Sequence, residues 1–243
     1  MIYVNWTMLF IAVLRLLVDI CDIMNTRAAI FDMDGILIDS EPLWYAAANE
    51  AFMPYSIQLN PEEYAMSIGL RTKEFVDFWL KKYGLDLHLA PSVEKEINRL
   101  VINKIEEKGT VMPGVVSTLA QLKHRNFTIG LATSSPSSLI DVVVDKLNIR
   151  SYFSAFASAE NLPFGKPHPQ VYLNCAEALE QSPSSCICFE DSFNGLISAK
   201  SAQMFCIAIP APEFRHQARF QAADLILNSL EEFDLDIIER LKD

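Results

Sequence analysis

The chain has 243 residues, 51% hydrophobic and 21% charged, which suits one large folded domain or a core with a modest insert and excludes extended disorder. A formal net charge of −11 argues against nucleic acid as a partner, because phosphate backbones are bound by clustered Lys and Arg. An anionic substrate would have to be held by local cations, since the overall field repels it.

In chain order, the first feature is an apolar extension over residues 1–23. Thr7 to Val18 is apolar except for Arg15, and Asp19 and Asp22 follow. No basic residue precedes this run and no small-residue cleavage site follows it, unlike a secretory signal. It is also shorter than the roughly 20 apolar residues of a membrane-spanning helix. Three readings stay open: an extra helix on the body, an interfacial anchor, or a start assigned too early, with Met24 as the natural start. The last is preferred. No membrane partner is expected.

The predicted strands share one pattern. Ala28 to Phe31 ends at Asp32, Phe127 to Ala132 at Thr133 and two serines, and Cys186 to Phe189 at Glu190-Asp191. Short, nearly all-apolar runs of this kind read as strands buried on both faces of a parallel sheet. Ala155 to Ala159, Phe205 to Ile209 and Asp224 to Leu227 read as further strands, with helical stretches between. This alternation predicts a doubly wound α/β fold, Rossmann-like, with a mostly parallel sheet. Ligands in that fold bind beyond the carboxyl ends of the strands, so the polar residues closing these runs would gather at one site.

Between the first two runs the character changes. Val93, Ile97, Leu100, Val101 and Ile105 follow helical spacing, with Gly109 placed to end the helix. A second helix is predicted from Thr72 to Tyr83. The segment 44–111 is too long for a simple crossover and reads as an inserted helical cap domain. The α/β core then comprises 24–43 and 112–243, with Met112-Pro113-Gly114 as the return hinge. Five cysteines form no CxxC pair. Cys186 and Cys188 would share one face of a strand, as small buried hydrophobes in a reducing, cytoplasmic setting.

The strongest chemical signal is Asp32-Met33-Asp34-Gly35 after a buried strand. Paired carboxylates in apolar surroundings are costly unless a cation lies between them, and Mg²⁺ prefers such oxygens. Alone, the pattern could be an Asx-turn. Glu190-Asp191 offers a second acidic pair. Thr133 and Ser134 precede Ser135-Pro136, which reads as a helix start with proline at its first position and could cradle a phosphate. Lys166 adds a compact positive charge. Singly, Thr133 could be a plain cap and Lys166 a solvated lysine; jointly, and in this order, those readings become improbable.

Together these elements resemble the four motifs of the haloacid-dehalogenase-like hydrolase superfamily: DMDGILIDSEP, Thr133 in LATSS, Lys166 in GKPHPQVY, and EDSFNGLISAKSA. DMDGILIDSEPLW, SIGLRT, ASAENLPFGKPHPQVY and EDSFNG resemble, more closely, sugar-phosphate phosphatases of the 2-deoxyglucose-6-phosphatase or hexitol-phosphatase type. The resemblance implies Asp32 as nucleophile forming an aspartyl-phosphate and Asp34 as general acid and base. It implies Mg²⁺ held by Asp32, the Asp34 carbonyl and Asp191, with Glu190 assisting directly or through water. Thr133, Ser134 and Lys166 would hold phosphate. Arg71, at the start of a cap helix, would reach into the closed site to bind substrate.

The expected activity is Mg²⁺-dependent hydrolysis of hexose, deoxyhexose or hexitol phosphates by a monomer. The alternative is a phosphomutase resembling β-phosphoglucomutase. That branch carries a histidine twelve residues after the nucleophile, where this chain has Trp44. Trp44 itself reads as a sugar-facing wall or as core. Asp34 disfavours dehalogenation, and the intact motifs disfavour a non-catalytic binding protein.

Overall fold

A computed structural model describes residues 28–236. The extension over 1–23, Met24 and Cys21 lie outside the described residues.

Among the described residues the first element is β1 (Ala28–Phe31), followed by four helices: α1 (Glu41–Phe52), α2 (Pro61–Ala65), α3 (Thr72–Lys82) and α4 (Ala90–Lys108). It continues through α5 (Val115–His124), β2 (Thr128–Thr133), α6 (Ser137–Lys146), β3 (Ala155–Ser158) and α7 (Gln170–Ala178). β4 (Cys186–Glu190), α8 (Phe193–Ser201), β5 (Phe205–Ala208) and β6 (Leu225–Ile226) complete it. One six-stranded sheet has the order β3-β2-β1-β4-β5-β6, parallel at every pairing. The fold is the expected doubly wound one. After β3 the chain crosses to the far side of β1, so the switch point lies between β1 and β4, where such folds bind ligands.

Strand periodicity sorts the core into two layers. Ala29, Phe31, Ile187, Phe189 and Ile207 pack on one face, where Phe31 and Phe189 stack at 4.3 Å between ring centroids. Ala28, Ile30, Cys186, Cys188 and Cys206 pack on the other. Cys186 and Cys188 thus share a face, as the sequence predicts. All four described cysteines are free and buried, and burial pushes the Cys186 thiol up to about 12.

The helices between β1 and β2 have their own apolar stripe. Val93, Ile97, Leu100, Val101 and Ile105 of α4 are all buried, as their spacing predicts. The outgoing and returning crossings run side by side: Ile38 bridges Val111 antiparallel, Asp39 N–H donates to the Thr110 carbonyl, and Met112 N–H donates to the Leu37 carbonyl. The first helix starts at Glu41, three residues before the expected boundary, with Pro42 in its first turn. Among the described residues, no helix is long and apolar enough to cross a membrane.

Candidate active site

The ends of β1, β2 and β4, with the loop between β3 and α7, deliver most of the predicted residues to one cavity. Asp32, Asp34, Thr133, Ser134, Lys166 and Asp191 all line it. Asp32 follows β1, and its N–H donates to the Phe189 carbonyl, which sets it against the end of β4. Gly35 then turns the chain at φ +73°. A Cβ there would stand 2.2 Å from Asp191 Oδ2, so the glycine is what lets the two acidic loops approach.

Lys166 is buried and donates to Asp32 Oδ1 at 2.7 Å and to Glu190 Oε1 at 2.6 Å. Burial works against its charge, but these carboxylates outweigh burial and hold its pKa above the ordinary value. Glu190 is fully buried, and protein donors meet both of its oxygens. Tyr172 Oη–H and Lys166 donate to Oε1, and the Ser192 N–H and hydroxyl donate to Oε2. Glu190 therefore anchors Lys166, while Asp32 and Asp191 face the cavity.

Asp32, Glu190 and Asp191 each bring a carboxylate oxygen within 4.8 Å of the others. Three acids against one lysine leave an excess of negative charge. Burial, then the Glu190 and Asp34 charges, raise the Asp32 carboxyl to about 8, with Lys166 pulling it partly back down. Asp191 is raised well above the usual carboxylate range, by burial first and then by Glu190 and Asp32. An all-oxygen, anionic set of this kind matches a hard divalent ion such as Mg²⁺.

Asp34 is held differently. Its Oδ1 accepts from the Ser40 hydroxyl at 2.6 Å and Trp44 Nε1–H at 2.8 Å, and its Oδ2 accepts from the Ser135 hydroxyl at 2.7 Å. Ser40 stands at the N-cap of α1 but makes no side-chain cap there; its hydroxyl serves Asp34 instead. Trp44 is thus neither a plain wall nor plain core. Glu41 also lines the cavity, and burial, then the Asp34 charge, raise its carboxyl to about 7. The sequence reading missed the roles of Ser40, Ser135, Tyr172 and Glu41. Only their position inside the first, second and third motifs hinted at them.

Thr133 closes β2, and its Oγ1 accepts from the Ser135 N–H. Ser134 donates to the Gly69 carbonyl, joining this loop to the helical segment. Pro136 sits at the N-cap of α6 rather than at its first position, because its ψ of 148° is extended. The structure does not bring Arg71 to the other residues. Its guanidinium donates to the Ala159 and Leu162 carbonyls and to Glu74, clasping the start of α3 to the loop after β3. Leu70 and Thr72 line the cavity on either side of it.

The haloacid dehalogenase-like hydrolase family matches residues 29–209. Hexitol phosphatase B of Escherichia coli (strain K12) is 41% identical over 209 residues, 84% of this chain and 93% of that protein. Crystal structures of CbbY from Rhodobacter sphaeroides with phosphate and of β-phosphoglucomutase from Clostridium difficile each superpose with a TM-score of 0.78. The first is 25% identical, covering 85% of this chain and 96% of that one; the second is 26% identical, covering 89% and 96%.

Proposed function

The chain belongs to the haloacid dehalogenase-like hydrolase family, and we propose that it is a phosphatase acting on sugar phosphates, with hexitol phosphates and related hexose and deoxyhexose phosphates as substrates. The observation that carries this reading is the Asp32 carboxylate, paired with buried Lys166 at 2.7 Å and facing a cavity that it shares with Asp34. The likeness to hexitol phosphatase B supports the substrate class.

In this mechanism Asp32 attacks phosphorus and becomes an aspartyl-phosphate. Asp34 donates a proton to the departing alcohol oxygen, then takes one from the water that hydrolyses the acyl-phosphate. Ser40, Trp44 and Ser135 fix the Asp34 carboxyl for both transfers. Lys166 holds a phosphate oxygen and balances the acids, and Thr133 and Ser134 bind further phosphate oxygens from the end of β2. Asp32, Asp191 and the Asp34 carbonyl would hold Mg²⁺, whose charge would offset the repulsion between carboxylate and phosphate. Glu190 would support that ion by holding Lys166 in place.

The helical segment 44–111 acts as a cap on the core, hinged at the paired crossings of Ile38 and Val111, and excludes bulk water during transfer. Phosphoryl transfer depends mainly on such positioning and charge stabilisation. A phosphomutase is the competing reading. Trp44, which offers only an N–H donor where that branch has histidine, favours hydrolysis.

The test is an assay of inorganic phosphate released from hexitol 6-phosphates, hexose 6-phosphates and a β-hexose 1-phosphate with bisphosphate primer, with Mg²⁺ or with chelator. The reading predicts Mg²⁺-dependent release, greatest from the hexitol and hexose 6-phosphates. Isomerised sugar phosphate without net release would instead establish a mutase.

A further inference from the structure

Beside the residues assigned to phosphate and proton transfer, the same cavity is lined by Glu41, the first residue of α1. Part of this side chain reaches the surface, but its Oε2 is buried and meets no hydrogen-bond donor. Leaving a buried acceptor unpaired costs more than a made hydrogen bond returns, so such atoms are few in folded proteins. Of the nearby donors, the Tyr64 hydroxyl acts on the Glu41 carboxyl but leaves Oε2 without a hydrogen bond, and the others are committed elsewhere. The Ser40 and Ser135 hydroxyls and the Trp44 N–H all go to Asp34, whose own charge repels Glu41.

We propose that Glu41 Oε2 accepts a hydrogen bond from a hydroxyl of the leaving group, and that this contact selects phosphate esters of polyhydroxy alcohols. The inference rests on the phosphatase reading and gives it a selecting residue. With Asp32 at phosphorus and Asp34 at the bridging oxygen, the carbon chain beyond that oxygen is the part of the substrate left to meet Glu41. A hydroxyl on that chain supplies the missing donor. An ester without hydroxyls leaves Oε2 unpaired, and sites built to pair a substrate hydroxyl reject analogues lacking it far more strongly than apolar pockets reject misfits.

The test compares wild type, Glu41→Gln and Glu41→Ala on a hexitol 6-phosphate and on n-hexyl phosphate, which has the same chain length and no hydroxyl. In Glu41→Ala kcat/KM for the hexitol ester should fall about ten- to a hundredfold, and in Glu41→Gln, whose amide oxygen still accepts but carries no charge, about five- to tenfold, while that for hexyl phosphate stays within about twofold in both. Glu41→Gln is near-isosteric and carries the comparison should the alanine variant unfold. Equal losses on both esters, or no loss on either, would overturn the assignment while leaving the phosphatase reading intact. Failure of wild type to release phosphate from either ester would overturn both.

Discussion

The indole N–H of Trp44 donates to Asp34 Oδ1 at 2.8 Å, so a residue ten positions along the chain fixes the carboxyl assigned to proton transfer. Trp44→Phe keeps the aromatic bulk and removes only this donor. A hydrogen bond to a charged group contributes about 1.5–3 kcal/mol, so kcat on a hexitol phosphate should fall about ten- to a hundredfold. An aryl phosphate, whose leaving group needs no proton, should lose much less. Equal losses on the two esters would show that Trp44 acts on something other than proton donation.

Gly35 and Asp191 make the second prediction. The position has φ +73°, and an added Cβ would lie 2.2 Å from Asp191 Oδ2. Gly35→Ala should force the two acidic loops apart, lowering stability by about 1–3 kcal/mol through backbone strain. Calorimetric titration should show Mg²⁺ affinity reduced well beyond what the loss of stability explains. Unchanged affinity would contradict the placement of Asp191 beside this turn.

The buried acids predict how stability depends on pH. The Asp32 carboxyl is raised from 3.8 to about 8, so its protonated form is the one that folding favours. Its contribution is fully present below pH 3.8 and is lost as pH rises through about 8; Asp191 shifts the same way. Metal-free protein should therefore lose on the order of 5–10 °C of melting temperature between pH 5 and 8. Mg²⁺ binds the ionised forms, so it should stabilise more at pH 8 than at pH 5. Melting curves at both pH values, with and without Mg²⁺, check this. A metal effect larger at pH 5 would contradict it.

Arg71 clasps α3 to the Ala159 and Leu162 carbonyls, on the approach to Lys166. Arg71→Ala should lower the melting temperature by a few degrees, for a loss of about 2 kcal/mol in hydrogen bonds. It should reduce kcat for sugar and aryl phosphates by similar factors, because the clasp serves the shared site. A loss confined to the sugar phosphate would return Arg71 to substrate binding.

Much of this was legible in the sequence, because β1, β2 and β4 are short apolar runs that each close on the residues of the site. Once the parallel order is known, Asp32, Thr133 and Glu190-Asp191 must meet. Contacts between distant residues were harder to read. Ser135 reaches Asp34 across 101 positions, and Tyr172 reaches Glu190 from α7, and beyond their place in the motifs nothing local marks the partner of either hydroxyl. Ser40 occupies the N-cap of α1, but the Asp34 carboxyl, the stronger acceptor, takes its hydroxyl. Arg71 stood out as a cation at a helix start. The backbone carbonyls after β3, which claim it, carry no sequence signature.

Passage of phosphorus to the Asp32 carboxylate is tested by acid quench of a single turnover with phosphate-labelled hexitol phosphate. Wild type should carry transient label, released by hydroxylamine and mapping to the peptide containing Asp32, and Asp32→Asn should carry none. Label on any other residue, or full phosphatase activity in Asp32→Asn, would remove Asp32 as the nucleophile.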